Sequence, residues 1–345
     1  MPLVLSEADV KSLLSMDDLI RSMEAALAEF SARRVQQPLR TVLQVGGQKA
    51  LFGVMPAYVP SLPALGTKMV TVFASNTERG LPTHLAMITL LDPQTGELLA
   101  LLDGRYITEA RTAAVSAVSV KHLAREDAGV LALIGSGVQA RSHLEAIGHV
   151  RPLRQVRVWS RSAERREAFS REMQPQPQGK HRPQGKHRRN TATAHITAPI
   201  SACGSAREAV EGADIVALVT AARDPVVRSE WIADGAHICA VGACRPDQRE
   251  MDASLVARGR LYVDSHEGAL AEAGDIVLAI NDGAIDASHI IGELGEVVSA
   301  KRAGRQNDDE VTIFKSLGMA VEDVAAAHLA YTRAQVRGVG AEVKL

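Results

Sequence analysis

Hydrophobic and polar positions change their period several times along the chain. Over residues 6 to 31, SEADVKSLLSMDDLIRSMEAALAEFS, apolar residues recur every three or four positions, with Ser6 ahead of Val10, Leu13 and Leu14, and Ser15 followed three residues on by Asp18. A serine before such a run, with an acid three residues later, marks a helix start, so two helices are predicted. Between Leu39 and Asp103 the runs shorten to TVLQV, ALFGVMPAYV, TKMVTVF, HLAMITLL and ELLALLD, separated by Gly, Pro and Asn turns. A sheet of mostly antiparallel strands is expected there. The segment TEARTAAVSAVSVKHLA, opening at Thr108, returns to the helical period and puts Arg111 in the predicted first turn.

From Val130 strand-like and helix-like stretches alternate: VLALIG, VQARSHLEAI, VRVWS, SAERREAFSREM, DIVALVT, HICAVG, SLVARG and LYVDS. Nearly continuous apolar strands spaced by helices are the pattern of a parallel sheet covered on both faces. After Val311, VTIFKS and the helical GMAVEDVAAAHLAYTRA make a tail whose shortness predicts that it packs back onto the first domain. The expected layout is a first domain over 1–122, an inserted doubly wound domain over 123–310, and a return at 311–345. PQGKHR at 177–182 repeats at once at 183–188, with five Lys or Arg between 180 and 189 and no acid. Such a segment cannot bury a core, so a disordered loop is expected at 174–190.

Composition narrows the function classes. With 345 residues, 46% of them hydrophobic, two domains can each bury a core, and a formal net charge of -1 gives no reason to expect nucleic acid as a partner. Cys203, Cys239 and Cys244 form no Cys-x-x-Cys pair, no metal site is indicated, and Cys239 lies in an apolar run. MPLVLSEADVKSLL has neither a basic region followed by an apolar stretch nor the length to span a bilayer. A soluble, cytoplasmic protein without a membrane partner is therefore expected.

Three places carry chemistry. LALIGSGVQA holds Gly135, Gly137 and Ala140 as G-x-G-x-x-A between a strand and a helix. The first glycine permits a tight turn, the second lets backbone approach a pyrophosphate, and the helix start offers free amides, so a dinucleotide site is predicted. At the end of the next strand, where an acid would hold the ribose hydroxyls of NAD, stand Ser160, Arg161 and Ser162. A guanidinium with two hydroxyls suits a 2′-phosphate, so NADPH is expected over NADH. The third place is a set of cations in the first domain: Arg40, Lys68 and Arg111. An arginine in a helix's first turn opposes the dipole and calls for an anion, either a ligand carboxylate or an internal salt bridge. Lys68, bracketed by apolar residues, is either a buried amine with a lowered pKa or an exposed edge-strand lysine.

Taken together, GVMPAY, TKMVTVF, DGRYITEARTAAVSA, IGSGVQA, AVGACRPDQREMD, LYVDS, GELGEV and FKSLGMAVED resemble the ornithine cyclodeaminase and mu-crystallin family over nearly the whole chain. The likeness is greatest to its ketimine reductase branch. It implies an α/β fold, a Rossmann doubly wound parallel sheet inserted in an α+β domain for substrate binding and dimerisation, and a homodimer. It further implies that Arg40, Lys68, His84 and Arg111 surround the substrate, with Lys68 and Arg111 in the catalytic roles. Gly135, Ser136, Gly137, Val138 and Gln139 would line the pyrophosphate turn, Ser160, Arg161 and Ser162 the adenosine phosphate, and Thr220 and Val241 would approach the cofactor further along.

Cyclodeaminases and alanine dehydrogenases of this family resemble one another in an aspartate just after the strand that here ends AVG, in a pattern G-x-D-x-P-G-K-x-E. Aligned on Pro246 and Glu250, this chain has Cys244 at that position. Activating water on an imine needs a general base near the reacting carbon, whereas reducing a preformed cyclic imine needs hydride and a proton. The expected activity is reduction of cyclic ketimine carboxylates such as Δ1-pyrroline-2-carboxylate and Δ1-piperideine-2-carboxylate to L-proline and L-pipecolate. Ornithine cyclodeaminase and a mu-crystallin-like binding protein are the alternatives. No base neighbours Cys244 in sequence, which argues against a catalytic thiolate.

Overall fold

A computed structural model describes residues 1–46, 50–175 and 196–344; the duplicated hexapeptide and most of the loop expected at 174–190 lie outside the described residues. Two compact units are present, one of Met1–Val115, Glu293–Arg302 and Gly318–Leu345, the other of Ser116–Gly292 and Ala303–Leu317.

The first unit begins with β1 (Leu3–Leu5), α1 (Glu7–Leu13) and α2 (Met16–Ser31). Ser6 and Asp9 form a reciprocal capping box on α1, and the Ser15 hydroxyl accepts the Asp18 amide at the start of α2. Strands β2 (Thr41–Val45), β3 (Ala50–Val59), β4 (Ala64–Val72), β5 (His84–Leu91) and β6 (Leu98–Asp103) follow. Among the described residues the sheet order is β1-β6-β5-β4-β3-β2, antiparallel from β6 to β2, with β1 parallel to β6. Residues alternate between faces along these strands. One face carries buried Met55, Ala57, Lys68, Ile88 and Leu90. The other carries Leu43, Phe52, Thr71 and Leu85 in one cross-strand row and Val54, Met69 and Met87 in the next.

Helix α3 (Gly104–Leu123) starts one turn earlier than its periodicity suggested, because Asp103 accepts the amides of Arg105 and Tyr106 and so acts as the cap. Arg111 is therefore not in the first turn, and the helix dipole does not account for its need of an anion.

The second unit is the alternating stretch: β7 (Val130–Ile134), α4 (Val138–Val150), β8 (Gln155–Trp159), α5 (Ala163–Met173), β9 (Ile200–Ala202), α6 (Ala206–Val210), β10 (Ile215–Leu218), β11 (His237–Ala240), α7 (Ala253–Arg258), β12 (Arg260–Val263), α8 (His266–Glu272) and α9 (Gly274–Asn281). After β13 (Ile290–Glu293) and α10 (Leu294–Val298) comes β14 (Thr312–Lys315). The sheet order β13-β12-β14-β11-β10-β7-β8-β9, parallel from β12 to β9, contains the doubly wound 3-2-1-4-5-6 order as β9-β8-β7-β10-β11-β14. Alternate residues of its strands feed two cores: Ile134, Leu218, Ile238 and Ile313 on one side, Leu133, Val158, Ala217 and Cys239 on the other.

Two segments depart from the expected layout. Residues 311–317, expected to return to the first domain, belong to the second unit, because the TIFK strand is buried throughout and pairs on both edges, with β11 and β12. Conversely, Glu293–Arg302 joins the first unit, where the Cβ position of Gly295 lies 1.9 Å from the Leu27 carbonyl, an approach only glycine permits. The return proper begins at Gly318 and runs through α11 (Ala320–Arg337) to β15 (Ala341–Glu342), which pairs with β1. Among the described residues, no helix is long and apolar enough to cross a membrane.

Candidate active site

In the first unit α11 packs on β3, β4 and β5, and the site lies under its first turn. Lys68 is 2% exposed on β4, an interior strand whose neighbours place Met55 and Ile88 opposite it. The edge-strand alternative is excluded. Its ammonium pairs with the Asp323 carboxylate, which also receives Arg111 Nε at 2.9 Å on its other oxygen. Arg111 Nη1 meets Glu322 Oε2 at 2.5 Å. All four side chains are almost fully buried. The anion that Arg111 requires is thus internal, a pair of acids on the opening turn of α11, where the helix dipole favours carboxylates.

Glycine brings the arginines together. Gly318 has φ +78°, and a Cβ there would lie 2.4 Å from Arg111 Nη1 and 2.6 Å from Nη2. Arg40 Nη2 donates to the carbonyl of the same residue at 3.3 Å. His84, at the start of β5, lies on the sheet face of Lys68, since Val72 pairs with His84 and Lys68 with Ile88. Its Nε2 is buried without a hydrogen-bond partner. Burial, reinforced by Lys68 and Arg111, pushes the imidazole down to about 4, so it is neutral near pH 7. Burial likewise lowers Lys68 to about 8, with Asp323 opposing the fall and Arg111 adding to it. Asp323 stays below the usual carboxylate range: burial acts against its charge, but Arg111 and Lys68 outweigh burial. The structure therefore gathers Arg40, Lys68, His84 and Arg111, and adds Glu322, Asp323 and Gly318, which the sequence did not single out. A signal was present in FKSLGMAVED: two acids opening an otherwise apolar helix directly after a glycine.

In the second unit the turn between β7 and α4 has the expected form. Gly135 has φ +127°, and a Cβ there would press to 2.8 Å on the Val219 carbonyl. At Gly137 a Cβ would meet nothing within 4 Å, and α4 begins there without a side-chain cap. Ala140 is fully buried, so the helix seats closely on the sheet. Open space before uncapped amides is what a pyrophosphate needs, and the residues present fit that group. Val138 is exposed and the Gln139 amide oxygen is buried without a donor. Ser136 donates to Ser160 at 2.9 Å, Ser160 to the Ser162 carbonyl, and Ser162 caps α5, while Arg161 is exposed.

At the C-terminal ends of β10 and β11 lie Thr220 and Val241. The Cys244 thiol is spent on the Val241 carbonyl at 3.1 Å. Glu250, a few residues on, is fully buried, and its two oxygens accept the Thr220 and Gly242 amides, each at 2.6 Å. Neither group offers a base of the kind that an aspartate at 244 would supply.

The family model for the ornithine cyclodeaminase/mu-crystallin family matches residues 1–180 and 180–338. The ketimine reductase mu-crystallin of Rattus norvegicus is 42% identical over 334 residues, covering 96% of both chains. Among solved structures, the Δ1-pyrroline-2-carboxylate reductase of Thermococcus litoralis in complex with NADH and L-proline superposes with a TM-score of 0.91 at 40% identity, covering 99% of this chain and 100% of that one. An archaeal alanine dehydrogenase dimer with bound NAD gives 0.89 at 31% identity, covering 99% of each chain. The chain thus has the fold of nicotinamide-dependent oxidoreductases and belongs to the ornithine cyclodeaminase/mu-crystallin family.

Proposed function

We propose that this protein reduces cyclic ketimine carboxylates, Δ1-pyrroline-2-carboxylate and Δ1-piperideine-2-carboxylate, to L-proline and L-pipecolate with NAD(P)H. The observation that carries this reading is the convergence of Arg40 and Arg111 on Gly318 beside Lys68, together with a relative solved with NADH and L-proline. Arg40 holds the substrate carboxylate, and Arg111, its guanidinium braced by Glu322 and Asp323, borders the same carboxylate from beside Gly318. Lys68, an ammonium below about pH 8, orients the imine nitrogen and supplies its proton. Asp323 keeps that ammonium charged despite its burial. When bound, the reduced nicotinamide supplies hydride to C2. Neutral His84 closes the face of the site beside Lys68 without competing for the proton.

For the cofactor, Gly135, Ser136, Gly137, Val138 and Gln139 take the pyrophosphate, Thr220 and Val241 flank the nicotinamide half, and Ser160, Arg161 and Ser162 take the 2′-phosphate of NADPH. The exposed guanidinium of Arg161 and the absence of an acid at the end of β8 support NADPH over NADH. A homodimer is supported by the uncovered apolar sheet face around Leu43, Leu85 and Met87 and by the dimeric alanine dehydrogenase relative. The buried thiols of Cys203 and Cys239 suit a cytoplasmic enzyme.

One assay tests the reading. Purified protein should consume NADPH with Δ1-pyrroline-2-carboxylate and release no ammonia from ornithine in the presence of NAD. Ammonia release would make it a cyclodeaminase, and neither reaction would make it a binding protein. A lower Michaelis constant for NADH than for NADPH would overturn the 2′-phosphate assignment alone.

A further inference from the structure

Among the buried charged groups of the second unit that the reductase reading leaves unused, Glu250, Asp275 and Lys315 form one cluster, each at most 1% exposed. Glu250 Oε1 accepts the Thr220 amide, two residues beyond β10, and Oε2 accepts the Gly242 amide, two residues beyond β11. Its own backbone is held in turn. Asp275 Oδ1 accepts the amides of Glu250 and Met251 at 2.7 and 3.1 Å, and Asp275 Oδ2 lies 3.0 Å from Lys315 Nζ on β14. One carboxylate therefore ties together the ends of two parallel strands whose connections would otherwise diverge, and an ion pair anchors it to the third. Gly242 is part of the device, since a Cβ there would fall 1.9 Å from the Thr220 carbonyl and 2.6 Å from Glu250 Oε1.

In a doubly wound sheet, β7, β8 and β9 form one mononucleotide-binding half and β10, β11 and β14 the other. The adenosine half carries the Gly135 turn, so the turns that Glu250 joins belong to the nicotinamide half. We propose that Glu250 is a positioning residue for the nicotinamide end of the cofactor, fixing the spacing of the Thr220 and Gly242 turns through its two backbone hydrogen bonds. This rests on the dinucleotide reading of the second unit.

Glu250→Gln keeps the shape but turns an NH2 group toward one of the two amides, so one turn loses its acceptor. Titrations with NADH and with ADP-ribose, which shares the adenosine half and lacks nicotinamide, separate positioning from general damage. The variant should bind NADH about tenfold more weakly, with ADP-ribose affinity unchanged. Equal losses for both ligands, or no loss for either, would overturn the proposal. Wild type that binds ADP-ribose but not NADH, or neither, would overturn the dinucleotide reading and the proposal with it.

Should Glu250→Gln fail to fold, the wild type provides the same contrast. Burial and Asp275 raise Glu250 to about 7, against Lys315 and the Thr220 hydrogen bond. These groups and the Gly242 amide face the carboxyl; Lys315 in turn feels Cys244. Protonation removes one acceptor, so NADH affinity should fall as the pH drops through about 7 while ADP-ribose affinity stays level. NADH affinity that is flat across that range, or that falls in parallel with ADP-ribose, would overturn the assignment.

Discussion

Lys68, Arg111 and Asp323 make one unit, because a single carboxylate holds an ammonium on one oxygen and a guanidinium on the other. Losing one partner leaves buried charge uncompensated. Arg111→Ala would take the guanidinium from Glu322 and leave Asp323 with Lys68 alone, and should cost about 3–5 kcal/mol in denaturant titrations as well as weakening substrate binding; unchanged stability would mean that the pairs contribute nothing. The Lys68 proton gives a second prediction. A lysine whose pKa is lowered to about 8 loses its proton as pH rises through that value, so reductase turnover with saturating cofactor should fall there. In Asp323→Asn the negative charge that favours the ammonium is gone, so this alkaline limb should move to lower pH. A limb that stays in place would assign the titration to another group. At this scale the sequence made Arg40, Lys68 and Arg111 visible as charges among apolar neighbours. It could not name Glu322 or Asp323 as their partners, more than 200 residues away in the chain.

Elements aim these side chains. Period-two alternation puts Lys68 on the same face of β4 as Ala64 and Gly66, beneath α11, and the Asp103 cap places Arg111 two turns into α3. The entry to α11 is the critical junction, since Gly318 combines a left-handed backbone with contact to the Arg111 guanidinium. Gly318→Ala should destabilise the protein by about 1–3 kcal/mol and lower kcat/KM by displacing Arg111. Full kcat/KM in a folded variant would show that this junction does not position the arginine. Helices α1 and α2 and the strands from β2 to β6 were legible because capping serines and alternation act locally. The start of α3 was misread because Gly104 hides the Asp103 cap, and β14 was misassigned because periodicity says nothing about which sheet receives a strand.

At the scale of the whole molecule, the outer sheet face of the first unit exposes Leu43 (56%), Leu85 (43%) and Met87 (42%) in adjacent cross-strand rows. A contiguous apolar face of this kind is poorly tolerated in water. Under the proposed homodimer, the wild type should run as a dimer and Met87→Glu as a monomer in size-exclusion chromatography with light scattering; a variant that stays dimeric would place the interface elsewhere, and a monomeric wild type would overturn the dimer. The sequence by itself determined the antiparallel and doubly wound blocks and the glycine turn, because each is written in contiguous residues with a local backbone requirement. Only the tertiary structure decided that Arg111 is neutralised from within by α11, that β14 completes the second sheet, and that Glu250 joins two strand ends. Those pairings link residues far apart in the chain, and burial, which fixes both their charge state and their strength, exists only once the chain has folded.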